Sequence, residues 1–208
     1  MKRLALMLLL VSGTAVAGPA TDAVKKANNN INALLKAKAP AAQLTTAVNN
    51  IIAISQLGHK AMGTLWSQLS PAEQATFDKT LNQLINTNYV NAQSANLDYK
   101  VNYTGEKPGP TSGTTEVDSQ ISVPKKSNGT VTIEVDYLLD ANLQVFDIIT
   151  DGSSLVDTYH DMFSNLMSNG GFNNLITAMQ NKLQKLQAQP APSSTSNGAA
   201  AAPVAAKP

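Results

Sequence analysis

Cysteine is absent from the 208-residue chain, which excludes disulfide bonds, thiolate metal sites and cysteine nucleophiles. Histidine occurs twice, as His59 and His160, so the sequence argues against a multi-histidine metal centre. We therefore expect no metal and no other cofactor. The length suits a single domain with a substantial hydrophobic core.

Arginine is nearly absent. The single arginine is Arg3, and residues 18–208 contain 13 lysines against 14 acidic residues, a net charge of −1. Proteins that bind nucleic acid rely on arginine for bidentate contacts to phosphate and guanine, and no basic patch replaces it here. The composition thus excludes nucleic acid as an expected partner.

Long apolar runs are also missing. The longest is Leu4–Val11, eight residues preceded by Lys2 and Arg3 and followed by the small-x-small sequence Ala15-Val16-Ala17. A membrane-spanning helix needs about 20 apolar residues, so this pattern predicts a secretory signal peptide over residues 1–17, cleaved before Gly18. No cysteine follows for lipid attachment, and we expect a periplasmic mature protein.

The other end of the chain has little that could fold. Residues 188–208 are rich in proline, alanine and serine, and Val204 is their one large apolar residue. Such a composition buries too little surface to offset the entropy of ordering, which predicts a disordered tail. The folded domain is therefore expected to span residues 18–187.

Apolar residues at helical spacing predict six helical segments. Ser70 and Glu73 form a capping-box signature around Pro71, the clearest local signal for the start of a helix. Gly58 and Gly63 are expected to separate a short helix from its neighbours. The predicted segments are 20–37, 41–57, 59–68, 71–92, 155–166 and 172–186.

Between the helices the apolar residues alternate with polar ones at a period of two, which is typical of strands with one apolar face. The predicted strands cover residues 97–103, 117–123, 131–137 and 143–149. Their connections, at 105–113, 124–129 and 140–142, are short, so neighbouring strands should be antiparallel. The expected fold class is α+β, with a curved antiparallel meander of about four strands backed by N- and C-terminal helices.

Three stretches of the sequence carry a resemblance to a known family. They are residues 57–90, residues 131–139 together with 145–167, and residues 170–183. The first has a Gly and a Trp before a Leu-Ser-Pro-x-Gln turn and then a Phe and a Tyr on the next helix, at Gly63, Trp66, Leu69, Ser70, Pro71, Gln74, Phe77 and Tyr89. The second has the run Phe146-Asp147-Ile148-Ile149-Thr150-Asp151-Gly152-Ser153-Ser154-Leu155-Val156, followed by Tyr159 and Phe163. In order and spacing these motifs resemble the MlaC family, the toluene-tolerance or phospholipid-binding ABC-transport auxiliary proteins, over about residues 45–185.

The resemblance implies a monomeric periplasmic carrier that encloses phospholipid acyl chains in an apolar pocket. It further implies exchange of lipid between an outer-membrane lipoprotein complex and an inner-membrane ABC transporter with an MCE-domain subunit, which maintains the lipid asymmetry of the outer membrane. Two family arginines are replaced here, by Ala75 and His160, and a family tryptophan by Leu143-Gln144. The missing arginines bear on docking to partners rather than on an apolar pocket.

Periodicity identifies buried faces but not cavities, so the pattern by itself favours a solid core. The resemblance instead favours a lipid-lining role for a subset of the apolar residues on the sheet and the helices. The candidate lipid-binding residues are Tyr89, Val135, Tyr137, Phe146, Ile148, Val156, Tyr159 and Phe163.

Two alternatives remain open on the sequence. A small α+β scaffold with Asp136, Asp147 and His160 could support a hydrolase or isomerase acting on an apolar substrate by proton transfer. We expect instead that Asp136 is solvated, that Asp147 bonds backbone groups near Gly152-Ser153, and that both histidines lie at the surface. The second alternative is a carrier of hopanoids or other lipids.

Overall fold

The computed structural model describes residues 18–91, 99–124 and 129–188; the predicted signal peptide, and the predicted tail apart from Ala188, lie outside these ranges. Helices occupy both ends of the described chain and strands its middle, which confirms the predicted α+β class. None of the described helices combines the length and apolar character that crossing a membrane requires. The helices are α1 (Pro19–Lys36), α2 (Ala41–Ile51), α3 (Ile54–Met62), a 3₁₀ helix (Gly63–Gln68), α4 (Pro71–Asn91), α5 (Leu155–Ser168) and α6 (Gly171–Ala188).

The strands form one antiparallel sheet in sequence order, as the short connections predict. They are β1 (Lys100–Pro108), β2 (Thr115–Pro124), β3 (Thr130–Leu139), β4 (Val145–Thr150) and β5 (Ser153–Ser154). On the inner face, Tyr137 of β3 lies opposite Val117 on one side and Ile148 on the other. The register therefore aligns the apolar side chains in rows across the sheet.

Two features of the sheet differ from the sequence-based expectation. Strand β1 continues to Pro108, where a loop from residue 105 was expected, because a register shift between Tyr103 and Gly105 interrupts the alternation without ending the pairing. Strand β5 is a two-residue pairing with β4, too short to leave a periodic signal. The described sheet thus has five strands rather than about four.

The predicted break at Gly58 is wrong. The chain leaves helical geometry at Ile52 and Ala53, where Ile52 forms a parallel bridge with Val145 and the Ala53 N–H donates to the Val145 carbonyl at 2.9 Å. Gly58 lies inside α3, where an added Cβ would sit 2.5 Å from Cδ2 of Leu81. The glycine therefore permits close packing of α3 on α4 rather than a helix end.

The capping box at the start of α4 is confirmed. The backbone N–H of Ser70 donates to the Glu73 carboxylate at 2.8 Å, and the Glu73 N–H donates to the Ser70 hydroxyl at 3.4 Å. These reciprocal bonds satisfy two backbone donors at the helix entrance. They place α4, which carries Phe77 and Tyr89, as the sequence predicted.

The buried apolar residues divide into two clusters. The helix cluster draws on α2 to α6 and includes Phe77, Tyr89 and Phe163, whereas the sheet cluster includes Val117, Val135 and Ile148. Helix α1 joins the two, because its first half places Ala20 and Val24 on the sheet and its second half places Ile31 and Leu35 among the helices. The domain core is therefore two packed layers spanned by α1.

Candidate functional site

The two clusters divide the predicted lipid-binding residues between them. Val135, Tyr137 and Ile148 are buried in the sheet cluster. Tyr89 and Phe163 are buried in the helix cluster, and Val156 and Tyr159 pack against it while remaining partly exposed. The structure therefore places these seven residues in two groups, one in the sheet cluster and one in or against the helix cluster, rather than in one site.

The aromatic residues of α5 form a stacked group. The rings of Tyr159 and Phe163 lie parallel with centroids 5.5 Å apart, and Phe163 meets Phe77 of α4 edge-on at 5.3 Å. Such pairs add attraction beyond simple burial. They fix the inward face of α5 against α4.

Phe146, the eighth predicted residue, belongs to neither cluster. A register shift leaves it as the extra residue on β4, because Leu138 pairs with Asp147 and Leu139 pairs with Val145. Its buried ring lies 4.6 Å from the ammonium nitrogen of Lys60. The alternation of apolar residues in the sequence does not reveal such a bulge. The bulge changes the surroundings of the Phe146 side chain.

A group of phenols and amides, which we call the seam, comprises Asn28 and Asn32 of α1, Tyr99, Tyr103 and Tyr137 on the sheet side, and Tyr89 from the helix cluster. The Asn28 amide donates to the hydroxyls of Tyr103 at 2.9 Å and Tyr137 at 3.4 Å. The Tyr99 hydroxyl donates to Asn32 Oδ1 at 2.7 Å. The middle of α1 is thus bound to the sheet side by polar contacts.

The phenols of the seam are held neutral. Burial raises the pKa of Tyr89 and Tyr137, and for Tyr89 the neighbouring phenols of Tyr137 and Tyr99 raise it further. Burial also raises the pKa of Tyr99 and Tyr103, so the seam presents polar groups without charge.

The inner face of the sheet is closed at one end and open at the other. Val117, Val135 and Leu139 are completely buried. Towards the start of β3, Ile133 and its neighbour Val123 are only partly covered, and Val131 is 37% exposed. The apolar face therefore extends beyond the described helices that cover it.

Sequence reasoning did not include α1 among the site residues. Its Asn28 and Asn32 interrupt an otherwise apolar face, since Val24, Ile31 and Leu35 lie on the same helix and are buried. Amides at positions facing a core are a signal of a polar network. That signal was present in the sequence and points to the seam.

Asp147 has a structural role of the kind predicted, with slightly different partners. Its buried carboxylate accepts hydrogen bonds from the backbone N–H groups of Ile148 at 2.8 Å and Val156 at 3.0 Å, and from the Ser154 hydroxyl at 2.7 Å. Ser154 in turn caps α5 by accepting from the Asp157 N–H at 3.0 Å. Both carboxylate oxygens are therefore engaged in fixing α5 to β4.

The other groups considered for chemistry are also engaged. His160 is exposed, as predicted, and its Nδ1 lies 2.9 Å from the Ala61 carbonyl. His59 is only partly exposed; it stacks on Trp66 at 3.8 Å and its Nε2 lies 3.0 Å from Asp78. No hydrogen bond within the described ranges joins Asp136, Asp147 and His160 to one another.

Asp136 lies on the outer face of the sheet beside Glu116 and Asp118, half-buried rather than fully solvated. Burial raises the pKa of Asp136, and the two neighbouring carboxylates raise it further. The Lys107 ammonium lies 3.2 Å from Glu116 and 3.0 Å from Asp118. The lysine therefore offsets the charge of this acidic group.

A polar cleft of about 490 Å³ opens near the α2–α3 junction. Asn49, Asn82, Asp140 and Gln144 contribute its polar lining, and none of the eight predicted lipid-binding residues lines it. The cleft therefore differs from the open apolar end of the sheet in its polar lining, and from the seam in the residues that form it.

Comparisons with known proteins bear on both the fold and the family. A search among curated proteins finds no match. Among solved structures, a phospholipid-binding protein from Ralstonia solanacearum, determined in complex with a phospholipid, has a TM-score of 0.65 and 20% sequence identity, and the match covers 82% of this chain and 99% of that one. This likeness shows the same α+β fold. The family model described as MlaC protein matches residues 20–181, most of the chain, and the protein therefore belongs to the MlaC family.

Proposed function

We propose that the protein is a periplasmic carrier that holds the acyl chains of a phospholipid against the inner face of its sheet. The observation that carries this proposal is the graded cover of that face, from completely buried Val135 to Ile133, which is partly covered, and Val131, which is 37% exposed. Membership of the MlaC family and the phospholipid bound by the structural neighbour support the same ligand. The open end gives acyl chains a way in.

In this proposal the two clusters form two walls. Val135, Tyr137 and Ile148 make the sheet wall, and Tyr89, Val156, Tyr159 and Phe163 make the helix wall. Acyl chains would enter at the open end and separate the walls along the seam. Phe146, which lies under Lys60, would support β4 rather than contact lipid.

The carrier must bury the acyl chains deeply enough to compete with a bilayer, but it must still be able to release them. Burial of a CH₂ group contributes about 0.8 kcal/mol, so two sixteen-carbon chains represent roughly 20 kcal/mol. A bilayer offers nearly the same stabilisation. The carrier must match that value closely, because a much tighter site would not release its lipid. Apolar walls and neutral phenols suit this balance, with the head group left in water.

We propose further that the carrier shuttles phospholipid between an outer-membrane lipoprotein complex and an inner-membrane ABC transporter with an MCE-domain subunit. This traffic would maintain outer-membrane lipid asymmetry. The predicted signal peptide over residues 1–17 accounts for export, and the carrier would act as a monomer without a cofactor. Family membership supports these partners.

Native mass spectrometry and solvent extraction of the purified protein test lipid binding directly. The expected result is a bound lipid with two acyl chains and a phosphate-containing head group. Protein that is folded and lipid-free after mild purification, and that takes up no lipid from phospholipid vesicles, would contradict the proposal. A hopanoid in the extract would change the ligand class.

The variant Ile133→Asp tests the open end of the sheet. A carboxylate there can remain hydrated when the site is empty but must lose water when acyl chains enter, so bound lipid per protein should fall by about tenfold or more. The fold should persist, since Ile133 is only partly buried. Circular dichroism and lipid phosphate per protein are the two measurements.

Thr132→Asp is the matched control, because Thr132 is exposed and points to the opposite face of the same strand. It should leave both measurements unchanged. If Ile133→Asp fails to fold, Val131→Asp tests the same end at a more exposed position. A full lipid load in a folded variant at either position would remove this end of the sheet from the lipid path.

A further inference from the structure

The first residues of α1, which directly follow the predicted cleavage site, are buried and hydrogen-bonded to the sheet. Ala20 is 1% exposed and Thr21 is 4% exposed, both against the sheet. The Glu106 carboxylate of β1 accepts the Thr21 N–H and the Thr21 hydroxyl, each at 2.7 Å. The same carboxylate lies directly beside Gly18. A single carboxylate, that of Glu106, therefore binds the first turn of α1.

Gly18 lies directly against the Glu106 carboxylate. A Cβ added to it would lie 2.5 Å from Cδ of Glu106, inside van der Waals contact. The backbone of Gly18 is extended, with φ −98° and ψ −177°, which any residue can adopt. A side chain at this position would therefore displace the end of the Glu106 side chain without straining the backbone.

Glu106 has no cationic partner among the residues that the structure describes. The neighbouring Lys107 pairs instead with Glu116 and Asp118. Burial alone would raise the pKa of Glu106, but hydrogen bonding, chiefly from Thr21, outweighs it and holds the pKa below its usual value. A charged carboxylate is thus kept beside Gly18.

We propose that cleavage between Ala17 and Gly18 creates an ion pair between the new α-ammonium group of Gly18 and the Glu106 carboxylate, which locks α1 onto β1. A signal peptidase would add water across the Ala17–Gly18 bond, leaving a carboxylate on Ala17 and an amine on Gly18 that takes up a proton near neutral pH. The Glu106 carboxylate already lies beside Gly18. This inference rests on the proposed export signal.

The ion pair has a distinctive dependence on pH. Glu106, with its lowered pKa in the folded protein, contributes stability above its ordinary pKa, and that stability is lost as the pH falls through the folded value. The ammonium group, with a pKa near 8 when free and raised by the carboxylate, contributes stability below that value and loses it as the pH rises through the folded pKa. The loss of stability at alkaline pH therefore comes only from deprotonation of the free Gly18 amine.

The test compares the chain that begins at Gly18 with the same chain preceded by Ala17, each with Glu106 and with Glu106→Gln. With Glu106, the chain that begins at Gly18 should melt about 2–4 °C higher near neutral pH, and the difference should vanish at about pH 10. With Glu106→Gln, the two chains should melt together at both pH values. Bound lipid per protein is measured in the same samples, so a failure of the ion pair is separate from a failure of lipid binding.

Equal melting temperatures for the two chains with intact Glu106 would overturn the proposal. So would a difference that persists in Glu106→Gln, because the extra residue would then act by packing rather than by charge. N-terminal sequencing of the exported protein tests the cleavage position separately. A mature chain that begins at another residue would overturn the claim that cleavage creates this ion pair during export.

Discussion

At the scale of single residues, Asp147 shows how a buried polar side chain connects two elements. Two of its three hydrogen bonds join β4 to the start of α5, and the third is to the N–H of Ile148 on β4 itself. The sequence showed that an aspartate interrupted an apolar strand, which predicts either partners or an edge position. Its precise partners depend on β5 and on the turn before α5, which the sequence pattern did not show.

Asp147→Ala should destabilise the domain by about 3 kcal/mol, since it removes charged hydrogen bonds and leaves buried donors unsatisfied. Urea unfolding measures this change, and hydrogen exchange at the start of α5 should accelerate most. Asp161→Ala, at an exposed position of the same helix, is the control and should change stability by less than about 0.5 kcal/mol. Equal effects of the two substitutions would refute the anchoring role of Asp147.

At the scale of elements, α1 couples the sheet to the helical layer. Its apolar residues pack on the sheet cluster at one end and on the helix cluster at the other, so one amphipathic helix contacts both clusters. The seam holds its middle through Asn28 and Asn32. Loosening α1 should therefore expose the inner face of the sheet without disturbing the pairing of the strands.

Asn28→Ala tests this coupling. It removes the bonds to Tyr103 and Tyr137, at a cost of about 1 kcal/mol after the gain in helix propensity. Asn29→Ala, exposed on the same helix, should be neutral or slightly stabilising. Urea unfolding gives both values, and hydrogen exchange should show α1 opening more readily in the first variant only. A destabilisation shared by Asn29→Ala would show that the loss does not come from the seam.

The sequence predicted the elements better than their junctions. Alternation identified β3 because its ten residues pair without a bulge, and the capping box identified the start of α4 because its signal is local. The α2–α3 break could not be found this way, since it depends on the bridge between Ile52 and Val145, far apart in the chain. The division of seven of the eight candidate residues between two clusters was hidden for the same reason, because periodicity indicates burial but not which residues are in contact.

At the scale of the whole molecule, the described domain has an acidic group on the outer face of its sheet and an uncharged seam on the inner side. The outer sheet face carries Glu116, Asp118 and Asp136 around Lys107, whereas the seam carries only phenols and amides. A seam without charge is compatible with acyl chains of any head group. Selection among phospholipids would then depend on groups at the surface.

The C-terminal end gives the last prediction. Helix α6 ends at Ala188, and the remaining residues lie outside the described structure, so the tail predicted from residue 188 loses one residue to the helix. Removing residues 189–208 should change the melting temperature by less than about 1 °C and leave bound lipid per protein unchanged, because their composition offers little apolar surface to bury. Thermal denaturation and lipid analysis provide the two measurements.

A truncation after Lys182 is the matched control. It removes Leu183, which is 8% exposed, and Leu186, whose carbonyl accepts a hydrogen bond from the Asn91 side chain at 2.8 Å. Losing a buried leucine and that bond should lower the melting temperature by roughly 5 °C or more. If the shorter deletion of 189–208 lowers it by a similar amount, the tail packs on the domain, and the boundary assigned from composition is wrong.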